Sequence, residues 1–264
     1  MSILDYAFAR NALAAVIFLA VLSGVVGTYV VVRRIVFSAG GITHASFGGI
    51  GLAYWAGFDP TLGALLFAVA TSLSINAASS RGGLRPDSAI AMLWSLGMAV
   101  GVIFLSLTPG YAPNLMGFMF GDILAVSESD VIMSAIAAAV CVIATIVFYR
   151  PLLYTAFDPV YAQVAHWHPR VVSAIASVLI AVAISLSIKA VGIILVLSVF
   201  TIPQSIALSF AHSLPRVMLL SGVIALVGST AGLFLSFAFD LPSGAVITAL
   251  LAIILLIVRL VKKH

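Results

Sequence analysis

Charge is what this sequence has least of. Charged residues make up 8% of its 264 positions, with twelve lysines and arginines and eight acids. A chain so poor in charge leaves no segment long and polar enough to form a soluble domain. Cysteine is nearly absent: Cys141 stands alone in an apolar run, which excludes a disulfide within the chain and leaves the redox compartment unmarked. The GxxxxGK[ST] loop that cradles nucleotide phosphates is missing, as are HExxH and GxSxG. No nucleotide-hydrolysing, zinc-hydrolase or serine-hydrolase centre is therefore written in those motifs. There is no tandem repeat and no low-complexity tract. The net charge of +4 does not point to a nucleic-acid partner.

What the chain has instead is hydrocarbon, with 63% of its residues hydrophobic. Apolar runs of about 18 or more residues read as membrane-spanning helices, and here they succeed one another from end to end. The fold class expected is an all-α polytopic membrane bundle forming one transmembrane domain over residues 1–264. The length rule places helices at about 11–32, 42–58, 60–79, 87–107, 130–149, 171–188, 191–211, 217–238 and 243–260, nine in all. The first run is too long for a signal-peptide core and reads as a retained helix. Breaks fall at Asp59-Pro60, Arg81-Gly82-Gly83, Thr108-Pro109-Gly110, Arg150-Pro151, Leu214-Pro215 and Leu241-Pro242.

Basic residues orient such a bundle, because they are retained on the cytoplasmic side. With the N-terminus outside and the C-terminus cytoplasmic, ten of the twelve fall inside, from Arg33 and Arg34 to Lys262 and Lys263. Arg10 and Lys189 are the two outside. Residues 108–129 would lie outside, broken by Pro and Gly, and fit a re-entrant or interfacial segment.

Two stretches draw attention. The first is the inside loop 150–170, "RPLLYTAFDPVYAQVAHWHPR". Asp158 can cap free amides and Pro159 suits the first helical position, so a short helix over about 159–165 is expected. Phe157, Tyr161 and Trp167 would give it an aromatic surface. Two readings fit: a docking knob for a soluble partner, or an interfacial helix resting on lipid headgroups. The second is "GGITHASFGGIG", residues 40–51. Gly48, Gly49 and Gly51 make a thin helix that neighbours can approach closely. His44 lies one turn before Gly48; an ionisable group at such a place faces a cavity or a partner, and neutral imidazole is the commonest metal ligand. It can equally be a hydrogen-bonded structural histidine. Asp87, Asp122 and Gln204 are weaker candidates for an ion pathway, and Asp87 can simply cap its helix.

Six stretches in collinear order then resemble one family, the permease subunits of bacterial zinc/manganese-type ABC importers. They are "GTYVVVRR" at 27–34, "GGITHASFGG" at 40–49, "RPDSAIAMLWSLGMAVG" at 85–101, "FDPVYAQVAH" at 157–166, "VGIILVLSVFTIPQSIA" at 191–207 and "GLFLSFAFDLPSGAVI" at 232–247. The third answers the family pattern RxDSAIGxxFSxxxAxG, and the fourth answers FDxxxAxxxG. The resemblance implies a homodimer or paired permease in the bacterial cytoplasmic membrane, with ATP bound by two cytoplasmic ATPase subunits. An extracytoplasmic metal-binding protein would deliver a divalent ion, with zinc, manganese or ferrous iron as the cargo and no cofactor in this chain. It implies that Phe157, Asp158, Pro159, Tyr161, Ala162 and His166 belong to a coupling helix, and that the segment around His44 lines the ion path. The family commonly has Asp four residues before that His and Gly at the end of the coupling motif. Here Gly40 and His166 stand at those places. The rival expectation is a stand-alone secondary transporter or channel, which calls for paired charges near the midplane. An intramembrane enzyme would need at least three metal ligands or a nucleophile with its base.

Overall fold

The computed structural model describes residues 7–81, 85–109, 121, 123 and 126–262. Every regular element among them is helical. In chain order these are α1 (Ala7–Leu22), a π turn (Ser23–Gly27), α2 (Thr28–Val32), α3 (Val36–Ala56), α4 (Pro60–Arg81) and α5 (Pro86–Leu107). Then follow α6 (Glu128–Val147), α7 (Tyr149–Phe157), α8 (Pro159–Val164), α9 (Pro169–Val199), α10 (Ile202–Ala207), α11 (Leu214–Phe239) and α12 (Ser243–Val261).

Proline sets many of the starts. It lacks the N–H that a first turn leaves unpaired anyway, and its fixed φ suits a helix. Pro60, Pro86, Pro159 and Pro169 each open a helix, while Pro203 and Pro215 stand second in theirs. Asp59 reinforces the start of α4: its carboxylate accepts from the amides of Thr61 at 2.8 Å and Leu62 at 3.0 Å. Gly57 ends α3 in the left-handed region, φ 76°, with its N–H bonded to the Ala53 carbonyl.

Seven helical stretches among the described residues are long and apolar enough to cross a membrane, where nine segments were expected to do so. Each expected segment overlies a helix. The two that fall short have physical reasons. Glycine and hydroxyl groups dilute α3, although it runs for 21 residues. The stretch Val191–Ala207 is short and apolar, and α9 leaves helical geometry at Gly192, with φ 77° and ψ 166°. The outer segment 108–129 lies largely outside the described residues, as does Asp122.

The chain forms two compact units. One comprises Met1–Val31, Asn114–Val142 and Leu186–His264; the other comprises Val32–Pro113 and Ile143–Ser185. In the first, the π turn packs on α11 through glycine. A methyl carbon at Gly24 would stand 2.7 Å from the Met218 carbonyl oxygen. A polar clasp lies beside this contact. Pro203 has no N–H to give the Val199 carbonyl, which instead accepts from Ser23 Oγ at 2.6 Å. Gln204 Nε2 donates to the Ser23 carbonyl at 2.7 Å and to Ser23 Oγ at 2.8 Å. The π turn and the proline break are thus joined by one buried amide.

In the second unit, α3 is pressed between α4 and α5. A methyl carbon at Gly49 would stand 2.0 Å from the Gly63 carbonyl oxygen of α4. One at Gly51 would stand 2.4 Å from the Gly101 carbonyl oxygen of α5. Contacts this short need hydrogen on both sides, as in membrane helix pairs built on small residues. Serine and asparagine hold α4 to α9: Ser72 Oγ donates to the Ser177 carbonyl at 2.7 Å, and the Asn76 amide reaches Ser173 and Ser177 at 3.3 Å.

Candidate ion-pathway and coupling sites

The thinness of α3 decides where His44 can be. Gly41 and Gly48 let α5 approach along one side, with Ile90 and Gly97 filling the space a side chain would need. His44 stands at the margin of that contact, half-buried, while its neighbours in sequence are buried. Its ring stacks on the Trp94 indole, with centroids 4.1 Å apart and planes within 11°. Such stacking orients the imidazole without occupying its nitrogens. Thr43 and Ser46 turn their hydroxyls back to the Ala39 and Ile42 carbonyls, both at 2.7 Å, and so satisfy themselves within the helix.

Asp87 stands apart from it. Asp87 is exposed in the first turn of α5, seven residues before Trp94, which is about 10 Å of helical rise. Gln204 belongs to the first unit and is fully buried, with its amide spent on the Ser23 clasp. Its Oε1 has no hydrogen-bond partner among the described residues. No group of three or more His, Cys, Asp or Glu that could hold a metal occurs among the described residues. Among the described residues, the helix pair α3–α5 thus presents one imidazole oriented by an indole, with no carboxylate beside it.

The loop 150–170 is more fully built. Asp158 accepts the amides of Val160 at 3.0 Å and Tyr161 at 2.9 Å, and so caps α8. Ala162 is fully buried and anchors this helix, while Phe157 is 65% and Tyr161 51% exposed. Tyr161 meets Tyr154 of α7 edge-on, with centroids 5.0 Å apart. Arg33 Nη1 donates to the Thr155 carbonyl and ties α7 to the turn that precedes α3. After α8 the chain reverses through His166, at φ 62°, and the Trp167 amide reaches back to the Ala162 carbonyl at 2.9 Å. That left-handed residue occupies the position where the family pattern carries Gly, which explains the pattern. The result is a small capped helix held from beneath and presenting apolar side chains outward.

Sequence reasoning missed two partners. Trp94 stands at the aromatic place of the motif beginning at Arg85, so the signal was present. Ser23 had no signal, because its partner Gln204 is 181 residues away.

Seven long apolar helices packed in part through glycine define a class: a polytopic helical membrane protein. The chain belongs to the ABC 3 transport family, whose model matches residues 5–262. It is a multi-pass protein of the cytoplasmic membrane. It is 35% identical over 239 residues to a protein of Chlamydia pneumoniae named "Probable metal transport system membrane protein", covering 88% of this chain and 82% of that one. It is 29% identical over 243 residues to the manganese transport system membrane protein MntC of Halalkalibacterium halodurans, covering 92% of this chain and 83% of that one. Among solved structures, PsaBC from Streptococcus pneumoniae in complex with Fab superposes with a TM-score of 0.87 at 26% identity. That match covers 97% of this chain and 92% of the other. The resemblance read from the six motifs is thereby borne out.

Proposed function

We propose that this chain is the permease subunit of an ATP-driven importer for a divalent transition metal, with manganese the leading cargo ahead of zinc and ferrous iron. The observation that carries the reading is the nearly full-length likeness to a manganese transport system membrane protein. Two copies of the chain enclose a central path, each with nine crossing segments, its N-terminus outside and its C-terminus cytoplasmic. Two cytoplasmic ATPase subunits bind ATP, and an extracytoplasmic binding protein delivers the ion. The whole chain acts as one permease domain.

In the mechanism, ATP binding closes the ATPase pair, and the helix around Pro159 carries that motion into the membrane helices as a rigid-body switch. Phe157, Val160 and Tyr161 make the contact, Asp158 keeps the helix formed, Ala162 seats it, and His166 turns the chain back. His44 lies on the ion path, with its plane set by Trp94. The ion keeps most of its water there, because Gly40 supplies no carboxylate one turn away. A weakly held ion is released readily, as transport requires.

The test is uptake by the reconstituted complex against manganese, zinc and ferrous iron with the binding protein present. Manganese uptake that needs ATP and falls on His44→Ala supports the reading. Uptake by this chain alone, or wild-type rates for His44→Ala across the series, refutes the respective part.

A further inference from the structure

Beside the short helix a cleft of about 720 Å³ opens where α8 gives way to α9. Its lining includes Gln163, His166, Trp167, His168 and Arg170. An amide, two imidazoles, an indole N–H and a guanidinium are all able to donate hydrogen bonds. Among the described residues no carboxylate lines it. A cation would meet the Arg170 guanidinium unopposed, so the cleft selects an anion. Planar arginine with additional donors is the usual way to hold a phosphate.

The position of the cleft narrows the source. Arg170 is the second residue of Pro169–Ile188, a stretch with the length and apolarity of a membrane span. Charged and indole side chains at the start of such a span sit at headgroup level. Val171, which also lines the cleft, is 57% exposed and continues it with apolar surface. The rim is built rather than loose: His166 is held left-handed, and the Trp167 amide is bonded to Ala162 at the base of α8. A phosphate with an acyl chain beside it matches both halves of this surface.

We infer that the cleft binds the headgroup phosphate of an anionic phospholipid and so fastens the projecting helix to the bilayer. This goes beyond the transport reading and does not depend on which ion is carried. The lipid holds the base of the helix, while its outward apolar face remains open to a protein partner.

The experiment uses the whole complex in nanodiscs of phosphatidylcholine with a minor share of phosphatidylglycerol. Native mass spectrometry counts the phosphatidylglycerol retained. Arg170→Gln should lower retention about fivefold, the effect of one basic residue at an anionic surface. His168→Phe, a second variant at an exposed position that removes a donor, should lower it as well. A fall no greater than that caused by Lys262→Gln, a basic residue elsewhere in the chain, would overturn the inference. Displacement of the lipid by inorganic phosphate at equal concentration would assign the cleft to a soluble anion and overturn the lipid source. Loss of the ATPase subunits from Arg170→Gln with lipid retention unchanged would give the cleft to the protein partner and overturn it too.

Discussion

Gln204 allows a sharp test of how the first unit is held. Its Nε2 makes two short bonds, 2.7 and 2.8 Å, to the carbonyl and hydroxyl of Ser23, in a fully buried place. Its Oε1 has no described partner. Replacement by Leu removes both ends at similar volume. The lost bonds are worth about 0.5–1.5 kcal/mol each, and deleting an unpaired acceptor returns about 1–3 kcal/mol. Gln204→Leu should therefore stay within about 1 kcal/mol of wild type. Gln204→Glu keeps the shape but turns the donor into an acceptor against the Ser23 carbonyl. An uncompensated buried charge costs about 3–5 kcal/mol. The assay is thermal unfolding of the purified protein in detergent, where 1 kcal/mol moves the midpoint by about 2–4 °C for a chain of this size. Gln204→Glu should then melt roughly 6–20 °C lower and Gln204→Leu close to wild type. Equal midpoints for both, or a double mutant with Ser23→Ala whose effects simply add, would refute the clasp.

Three further outcomes follow from the same reasoning. Gly97→Ala should cost about 1–3 kcal/mol, because the new carbon would stand 2.4 Å from Ala45 Cα and the helices must part. Gly222→Ala, whose nearest contact would be 3.4 Å, should stay near wild type in the same melting assay. At His166, φ 62° makes a β-branched side chain strained by about 1–2 kcal/mol, so His166→Val should lower the midpoint while His166→Gly leaves it nearly unchanged. Asp158→Ala removes a helix cap worth about 1 kcal/mol and should separate ATP hydrolysis from uptake in the reconstituted complex, whereas Asp158→Asn keeps both coupled. Coupled uptake at the wild-type ratio in Asp158→Ala would remove the transmission role.

The helical framework was legible because its signals are local. Asp59-Pro60 and Asp158-Pro159 each mark a start, and at both the carboxylate accepts two amides of the first turn. The short helix was expected over 159–165 and runs Pro159–Val164 for the same reason. Length and apolarity likewise located the spans. The segment expected at 42–58 overlies α3, which is not among the seven long apolar helices, because glycine lowers its hydropathy while allowing the close packing seen at Gly49 and Gly51.

The candidate site was legible only in part, because the groups that position it come from other helices. His44 could be picked out by its rarity in an apolar segment, but its surroundings could not. What orients its ring is Trp94, fifty residues on. Helical periodicity relates residues three or four apart, whereas an interhelical pair at such separations is set by how two helices cross. The crossing is in turn set by Gly41, Gly48, Gly97 and Gly101, each legible as small but none naming its partner. The same logic separates His44 from Asp87: both stand near the α3–α5 contact in sequence terms, yet two helical turns lie between Asp87 and Trp94. A shared ligand set would need the carboxylate beside Trp94, at the height of the imidazole. A chain with Gly at position 40 and Asp87 two turns from Trp94 brings no carboxylate of α3 or α5 beside His44, and no group of three metal-ligating side chains occurs among the described residues.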